Sequence, residues 1–461
     1  EPRDLSPTPG VASHWTISED RLTYTFYLSD TKWSNGEPLT AHDFVYSWKR
    51  ALDPITAADY AYQLYYIKNA RAFNEGRLTD FSQVGVRAVD DYTLEVQLEN
   101  PTAFFLDLTS FPTLMPVNRK CAEVHGDDWT LPENMVCNGP FRLAEWKIND
   151  RIRMEKNPFY CDTQHVKLQS IDALAIESIN TGFNVYETGG ADYLYGVPLP
   201  LVETLSDRKD FHSHVFLATF FLRFNVTVPP FDDVRVRKAL DMAIDKEGIV
   251  KYVTRGGEIP AATLVPPGMP NYRSPEGLPF NPEEAQRLLA EAGYPGGHGF
   301  PKTEYLFNTS EANKDIAEVI QQMWKKYLGI DVTLVNQEWK VFLSTVKNLD
   351  YQIARGNWIG DYVDPNTFLD MFVTGGGNNR TGWSNSRYDQ LIEAAAEEKD
   401  EDKRMEIFRE AENILVADDL PILPVYYHVS LDMYRPHVKG VSPNLLNIHP
   451  WKYIRTDKET P

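Results

Sequence analysis

The 461-residue chain has no apolar run of about 18 residues, so no segment is expected to cross a membrane as a helix. It is poor in cysteine. Three are present, Cys121, Cys137 and Cys161, and an odd, small number argues against a disulfide framework. Cys121 paired with Cys137 in an oxidising compartment, or free, partly buried thiols, are the readings left open. Positive charge is also in short supply. With 46 Lys and Arg against 66 Asp and Glu, the net charge is −20, a surface that repels phosphates and excludes nucleic acid as the expected partner. No HExxH, GxSxG or P-loop occurs, so the common hydrolase and nucleotide-binding signatures are missing. There is no repeat of fixed period and no low-complexity segment. The chain opens "EPRDLSPTPG", without the charged start and apolar run of a signal peptide. It reads as cytosolic, or as the mature or trimmed form of an exported protein.

What is present is a heavy apolar and aromatic load. Hydrophobic residues make up 42%, with 10 Trp, 24 Tyr and 23 Phe, which excludes disorder and leaves aromatics to line pockets as well as cores. The length implies two or three domains. Alternating "LTYTFYL" (22–28) and "YTLEVQL" (92–98) predict strands. Between them Thr40 caps a helix with Asp43 at its third position and Phe44, Val45 and Trp48 as its apolar stripe. A strand-rich region follows from "NGPFRLAEW" (138–146). A third region starts near "FFLRFNV" (220–226), with a helix over "DDVRVRKALDMAIDKEGIVKYV". In "NPEEAQRLLAEAG", Asn281 caps, Pro282 opens, Glu284 completes a capping box and Gly293 stops the helix. "KTEYLFNTS", "ANKDIAEVIQQMWKKYLG" and "IDVTLVNQ" predict a β–α–β unit with parallel strands. An alternating stretch from Leu349 to Ala354 is the next predicted strand. Acidic helices are predicted over 388–398 and 403–416. "LPILPVYYHVSLDMY" is a late strand that Pro424 assigns in part to an edge. The sum is an α/β protein of several lobes.

Chemistry is thinly marked. His212 and His214 lie two apart on a strand and point to one side, but no third ligand can be assigned, so exposed histidines are expected and no metal. "GYPGGHG" (293–299) is turn chemistry, because no strand precedes it. "TGGGNNRTGWSN" is a loop or a nest of backbone N–H groups for an anion. Asp361 and Asp364 are close enough in sequence to suggest an acid/base pair, although such proximity is common. A binding constellation remains: Trp339 just after one strand, and Arg355, Trp358 and Asp361 in "RGNWIGDY" near the end of the next. Ligands gather beyond the carboxyl ends of strands in α/β sheets, where an acid pairs a ligand cation and an Arg a ligand anion. The residues alone leave these side chains divided between pocket and core.

The stretches "NGPFRLAEWKINDRIRMEKNPFY", "PPFDDVRVRKALDMAIDKEGIV", "LVNQEWKVFL", "NRTGWSNSRYDQLI" and "LPILPVYYHV" together give a resemblance that covers nearly the whole chain. It resembles the family 5 extracellular solute-binding proteins, most closely the oligopeptide-binding component of ABC transporters. The resemblance implies a periplasmic-binding-protein-like α/β Venus-flytrap (type II, cluster C) with an extra small lobe. The small lobe would take 1–118, the end-bearing lobe 119–217 and 430–461, and the second ligand-binding lobe 218–429, with hinges near 217 and 430. It implies a monomeric, non-enzymatic receptor, periplasmic or lipid-anchored outside the cell, that needs no cofactor. It would capture extended oligopeptides and deliver them to permease and ATPase subunits. The same fold with another ligand (a sugar, a metal chelate, a murein peptide) is the alternative.

By the same resemblance Asp361 anchors the peptide ammonium, and backbone groups of Asn357 and Ile359 pair with the peptide. Trp339 and Trp358 are pocket walls, Tyr60 and Asn308 cleft residues, and Arg355 a carboxylate partner. Departures are Asn313 for a histidine, Arg223 for a glutamate, and Phe220 and Phe221 for tyrosines. These would make the pocket less hydroxylated and more cationic, with a side-chain preference shifted toward acidic or apolar residues. Ala218 and Ile359 stand where relatives place a disulfide, and Cys161 where they place a Trp. The family's segment ahead of "SPTPGVA" is absent from this sequence.

Overall fold

The computed structural model describes Arg3 and residues 5–457, and these fall into two compact units, 1–197 with 432–461, and 198–431. In the first unit, β1 (Ala12–Ile17), β2 (Thr23–Leu28), β3 (Val86–Asp90) and β4 (Thr93–Gln97) form an antiparallel sheet in the order β1-β2-β4-β3. Period-two burial produces it: Tyr24, Phe26 and Leu28 of β2 and Leu94 and Val96 of β4 are buried. Helix α1 (Ala41–Leu52) starts where the capping chemistry places it, with the Thr40 N–H donating to Asp43 Oδ2 at 2.8 Å. Its Trp48 is buried and donates Nε1–H to the Leu114 carbonyl at 2.9 Å. A second antiparallel sheet joins β5 (Phe141–Lys147), β6 (Arg151–Lys156) and β7 (Ser170–Leu174). All three cysteines are free thiols, and the buried Cys121 donates to the Asn134 carbonyl at 3.0 Å.

The second unit begins its main sheet with β8 (Phe211–Phe224), a long strand that carries both His212 and His214, each half-buried. The short β9 (Ile259–Pro260), β10 (Thr303–Asn308), β11 (Val332–Gln337), β12 (Ile353–Ile359) and β13 (Ile422–Tyr434) follow. The path is β13-β8-β12-β10-β11, with β9 on the other side of β13. The expected β–α–β unit is β10, α2 (Glu311–Leu328) and β11, with the strands parallel. Trp324 of α2 is fully buried and donates Nε1–H to the Leu240 carbonyl at 2.9 Å.

Of two local expectations, one is corrected. Asn281 caps the helix α3 (Pro282–Glu291), its Oδ1 accepting from the Glu284 N–H at 3.1 Å. Glu284 does not reach back to complete a capping box, because Arg287 takes its carboxylate. Pro424 does mark a part of β13 that is an edge on one side. On one side β9 meets β13 at Tyr426 and Tyr427, beyond the proline, so its missing N–H breaks no bond there; β8 lies on the other side.

Cores form on both faces of this sheet. Phe220, Leu222, Phe224, Ile353, Tyr305 and Phe307 pack on one, against Trp324 and its neighbours. Leu306, Ala354, Phe342, Val346 and Tyr351 pack on the other, beneath helix α4 (Trp339–Lys347).

Candidate ligand-binding site

Strand β12 organises the candidate site. The predicted strand ended at Ala354, whereas β12 runs from Ile353 to Ile359 and takes in most of "RGNWIGDY". Along one edge it pairs with β8 without interruption, from Ala218↔Ile359 to Phe224↔Ile353. Along the other it pairs with β10 only at Tyr305↔Ile353 and Leu306↔Ala354. Among the described residues the pairing with β10 stops at Ala354, and no strand is registered against Asn357–Ile359 on that second edge. Alternate N–H and C=O groups there are available to an incoming strand.

Asp361 stands two residues past this edge, half-buried. Its N–H donates to Thr367 Oγ1 at 2.9 Å, and Trp358 Nε1–H donates to the carbonyl of the same Thr367 at 2.7 Å. Thr367 is buried, so one residue fixes the indole and the start of the acidic turn together. The intervening Gly360 donates its N–H to the Leu217 carbonyl at 2.8 Å, and a Cβ there would lie 2.6 Å from Leu217 Cδ2. Asp364 plays no part in an acid/base pair. It is buried and held bidentate by Arg404, at 2.7 and 2.8 Å.

Strand geometry separates residues that adjacency in sequence had grouped. Arg355 and Asn357 project from one face of β12, Trp358 from the other. On the first face, the Arg355 guanidinium lies 5.4 Å from the Phe220 ring centroid, and its buried Nε has no hydrogen-bond partner. Burial lowers its proton affinity. Nε2 of His428 lies 2.6 Å from Asn357 Oδ1. An amide oxygen only accepts, so the imidazole donates from Nε2. Burial first, then the charge of Arg355, pushes His428 down to about 4 and keeps it neutral at physiological pH.

The remaining candidates scatter. Trp339 opens α4, is 48% exposed and stacks on Phe342 with centroids 5.9 Å apart. Ile359 is 49% exposed at the strand end. Asn308 closes β10 and accepts, at 3.2 Å, two hydrogen bonds from the Asn313 amide, which is itself buried; Asn313 therefore braces Asn308 and offers little surface to a ligand. Phe220 and Phe221 are not pocket walls. Both are fully buried, Phe220 stacked on Tyr426 at 4.9 Å and Phe221 edge-on to Phe372 at 6.3 Å. Arg223 is only 8% exposed, its guanidinium 5.3 Å from the Phe221 ring centroid. Tyr60 belongs to the first unit, where it packs against Tyr62 and Phe111.

Comparison with known proteins decides the family. The model of bacterial extracellular solute-binding proteins, family 5 Middle, matches residues 6–380. The chain belongs to this solute-binding family. It is 39% identical to the oligopeptide-binding protein OppA of Bacillus subtilis over 95% of this chain and 83% of that one. Its fold matches the periplasmic oligopeptide-binding protein OppAIV of Borrelia burgdorferi with a TM-score of 0.91 and 36% identity, covering 99% and 92% of the two chains. It also matches Haemophilus influenzae OppA, solved in complex with RPPGFSPFR, with a TM-score of 0.87 and 34% identity over 98% and 90%. Its architecture is thus the mixed α/β type II periplasmic-binding fold. The family is one of solute-binding proteins rather than enzymes, and no helix among the described residues is long and apolar enough to cross a membrane.

Within this solute-binding fold, Thr367 and His428 are site-shaping residues that the sequence reading passed over. Thr367 carries no motif; its part follows from a turn that returns it beneath Trp358. His428 sits in "PVYYHVS", which reads as ordinary strand, and meets Asn357 only through sheet packing.

Proposed function

We propose that this protein is the receptor of an ABC importer and binds extended oligopeptides by strand addition to the open edge of β12. The observation that carries the reading is that edge itself. Backbone groups of Asn357 and Ile359 lie on an unpaired stretch that ends at a carboxylate, Asp361. Backbone pairing gives affinity without fixing side chains, which suits a receptor for many peptides. Asp361 takes the peptide ammonium, and Trp358 and Trp339 give apolar walls. Arg355, half-buried and without an acid partner among the described residues, is the group that meets a carboxylate. Asn308, braced by Asn313, lines the same edge. The three-lobe division with hinges near 217 and 430, a place outside the cytoplasmic membrane, and permease and ATPase partners belong to the same proposal. The family membership supports them.

The test is calorimetry with a peptide and its N-acetylated form, on the wild type and Asp361→Ala. A charge-assisted hydrogen bond is worth about 1.5–3 kcal/mol. Wild-type protein is expected to lose about that much on acetylation, and the variant to bind both forms alike. Equal binding of the free and acetylated peptides by the wild type refutes the ammonium anchor.

A further inference from the structure

The second unit holds a pair of arginines with no acid partner among the described residues. Arg223 projects from the face of the sheet that also carries Trp358, opposite Ala354 at the far end of the β8–β12 ladder from Ile359. Arg380 lies in the 374–385 loop. Neither makes an ion pair or a side-chain hydrogen bond among the described residues, and Arg380 Nε is buried with no partner. This is not for want of acids, since the chain has 66 of them against 46 basic residues. Arg404, by contrast, is as buried as Arg223 and takes the Asp364 carboxylate in both hands of its fork.

The surroundings of the pair are fully tied. Tyr351 donates its hydroxyl to the Arg380 carbonyl. Asn379 Nδ2 donates to the carbonyls of Phe372 and Trp383, at 3.0 and 2.9 Å. Thr381 Oγ1 donates to Asn379 Oδ1 at 2.7 Å, and the Val226 N–H to the Thr381 carbonyl at 3.0 Å. The loop is therefore held in place around a guanidinium that has no use for it. Burial foremost, and then the charges of Arg380 and Arg355, push Arg223 down to about 10 against an opposing pull from Tyr351, so it is still a cation at neutral pH. Tyr351 in turn feels both Arg223 and Arg380, which sets the two cations around one ring. Two like charges held close and largely out of water raise each other's energy unless an anion joins them. A guanidinium presents its donors in a planar fork that matches an oxyanion.

We propose that Arg223 and Arg380 form a binding site for an oxyanion group, a carboxylate or a sulfate-like ion, between β8, Tyr351 and the 374–385 loop. The site is separate from the Asp361 end of β12; as a free-anion site it stands apart from the peptide reading, and as a side-chain site it rests on that reading. Two sources carry this chemistry: a free anion, and the acidic side chain of a bound peptide.

Calorimetry separates them. In one arm, sodium sulfate at low millimolar concentration is titrated against sodium chloride at matched ionic strength. In the other, a pentapeptide with a central Glu is compared with its Gln counterpart. A free-anion site gives a saturable heat with sulfate alone, lost in Arg380→Met. A side-chain site gives roughly tenfold or greater preference for the Glu peptide, collapsing toward one in Arg223→Met. Far-UV circular dichroism checks both variants. If either fails to fold, the wild-type titrations decide by themselves. No saturable sulfate heat together with equal affinity for the Glu and Gln peptides overturns the proposal. Because the Gln peptide reports peptide binding by itself, that result leaves the strand-addition reading standing.

Discussion

Gly356 lies directly opposite Phe221 in the β8–β12 ladder, and the phenyl ring lies across the place where a side chain would stand. A Cβ at 356 would lie closest to Cε2 of that ring, 2.6 Å from Cδ2 and 2.9 Å from Cζ. Carbon atoms pack at about 3.5–4.0 Å, so the ring must withdraw by about 1 Å. It has nowhere to go: Phe221 is fully buried, with Phe372 on one side and the Arg223 guanidinium on another. Overpacking of this kind costs about 1–3 kcal/mol. Against it stands the gain of about 0.4–1 kcal/mol that alanine brings by restricting the unfolded chain. Gly356 is not at positive φ, so no backbone strain enters. Gly356→Ala is expected to destabilise the second unit by about 1–2 kcal/mol, a fall of about 2–8 °C in Tm for a domain of this size. Urea and thermal unfolding followed by circular dichroism measure it. The companion change sharpens the test. Phe221→Ala alone is expected to cost about 3–5 kcal/mol. With Gly356→Ala added, the new methyl occupies vacated space, so the double variant is expected to beat the sum of the singles by at least about 1 kcal/mol. A Gly356→Ala protein as stable as wild type, or additive with Phe221→Ala, refutes the account of β12 packing.

Arg404→Met leaves the Asp364 carboxylate buried without its partner and is expected to cost about 3–5 kcal/mol in urea unfolding, most of it recovered when Asp364→Asn is added. His428 is held at about 4 in the folded protein against 6.5 ordinarily, so the unfolded chain binds more protons between those values. The stability it contributes is present above pH 6.5 and lost as pH falls toward 4, up to roughly 3 kcal/mol. Comparing wild type with His428→Gln across that window, the difference in unfolding free energy is expected to depend on pH; a constant difference contradicts a buried neutral imidazole. Thr367→Val removes the hydroxyl that receives the Asp361 N–H while leaving the carbonyl under Trp358. It is expected to weaken peptide binding by about 1 kcal/mol in calorimetry with little change in fold, and unaltered affinity argues against the clamp.

Much of the architecture was legible because it is locally encoded. The Tyr24, Phe26 and Leu28 alternation, the Thr40 and Asp43 cap and the β10–α2–β11 order need only neighbouring residues. What failed needed three dimensions. Glu284 has a capping partner by spacing but finds Arg287 nearer. At the site, adjacency placed Arg355 with Trp358, whereas the pleat of β12 sends them to opposite faces. Phe220 and Phe221 were assigned to a pocket because position alone does not reveal burial, which here is complete. Thr367 and His428 reach the site through contacts that no motif announces.

The open edge of β12 is also a ruler. It is bounded at Ala354, where β10 takes over the ladder, and at Gly360, where the chain turns. The stretch from Arg355 to Ile359, at about 3.3 Å per residue, is roughly 17 Å long. A guest strand laid there has only that span in register, and whatever is longer must overhang. Because only alternate groups of an edge face outward, a proline in the guest matters at every second position and is harmless in between. The strand therefore grades its guests by phase as much as by composition, and a proline scan along a fixed peptide would make that periodicity visible.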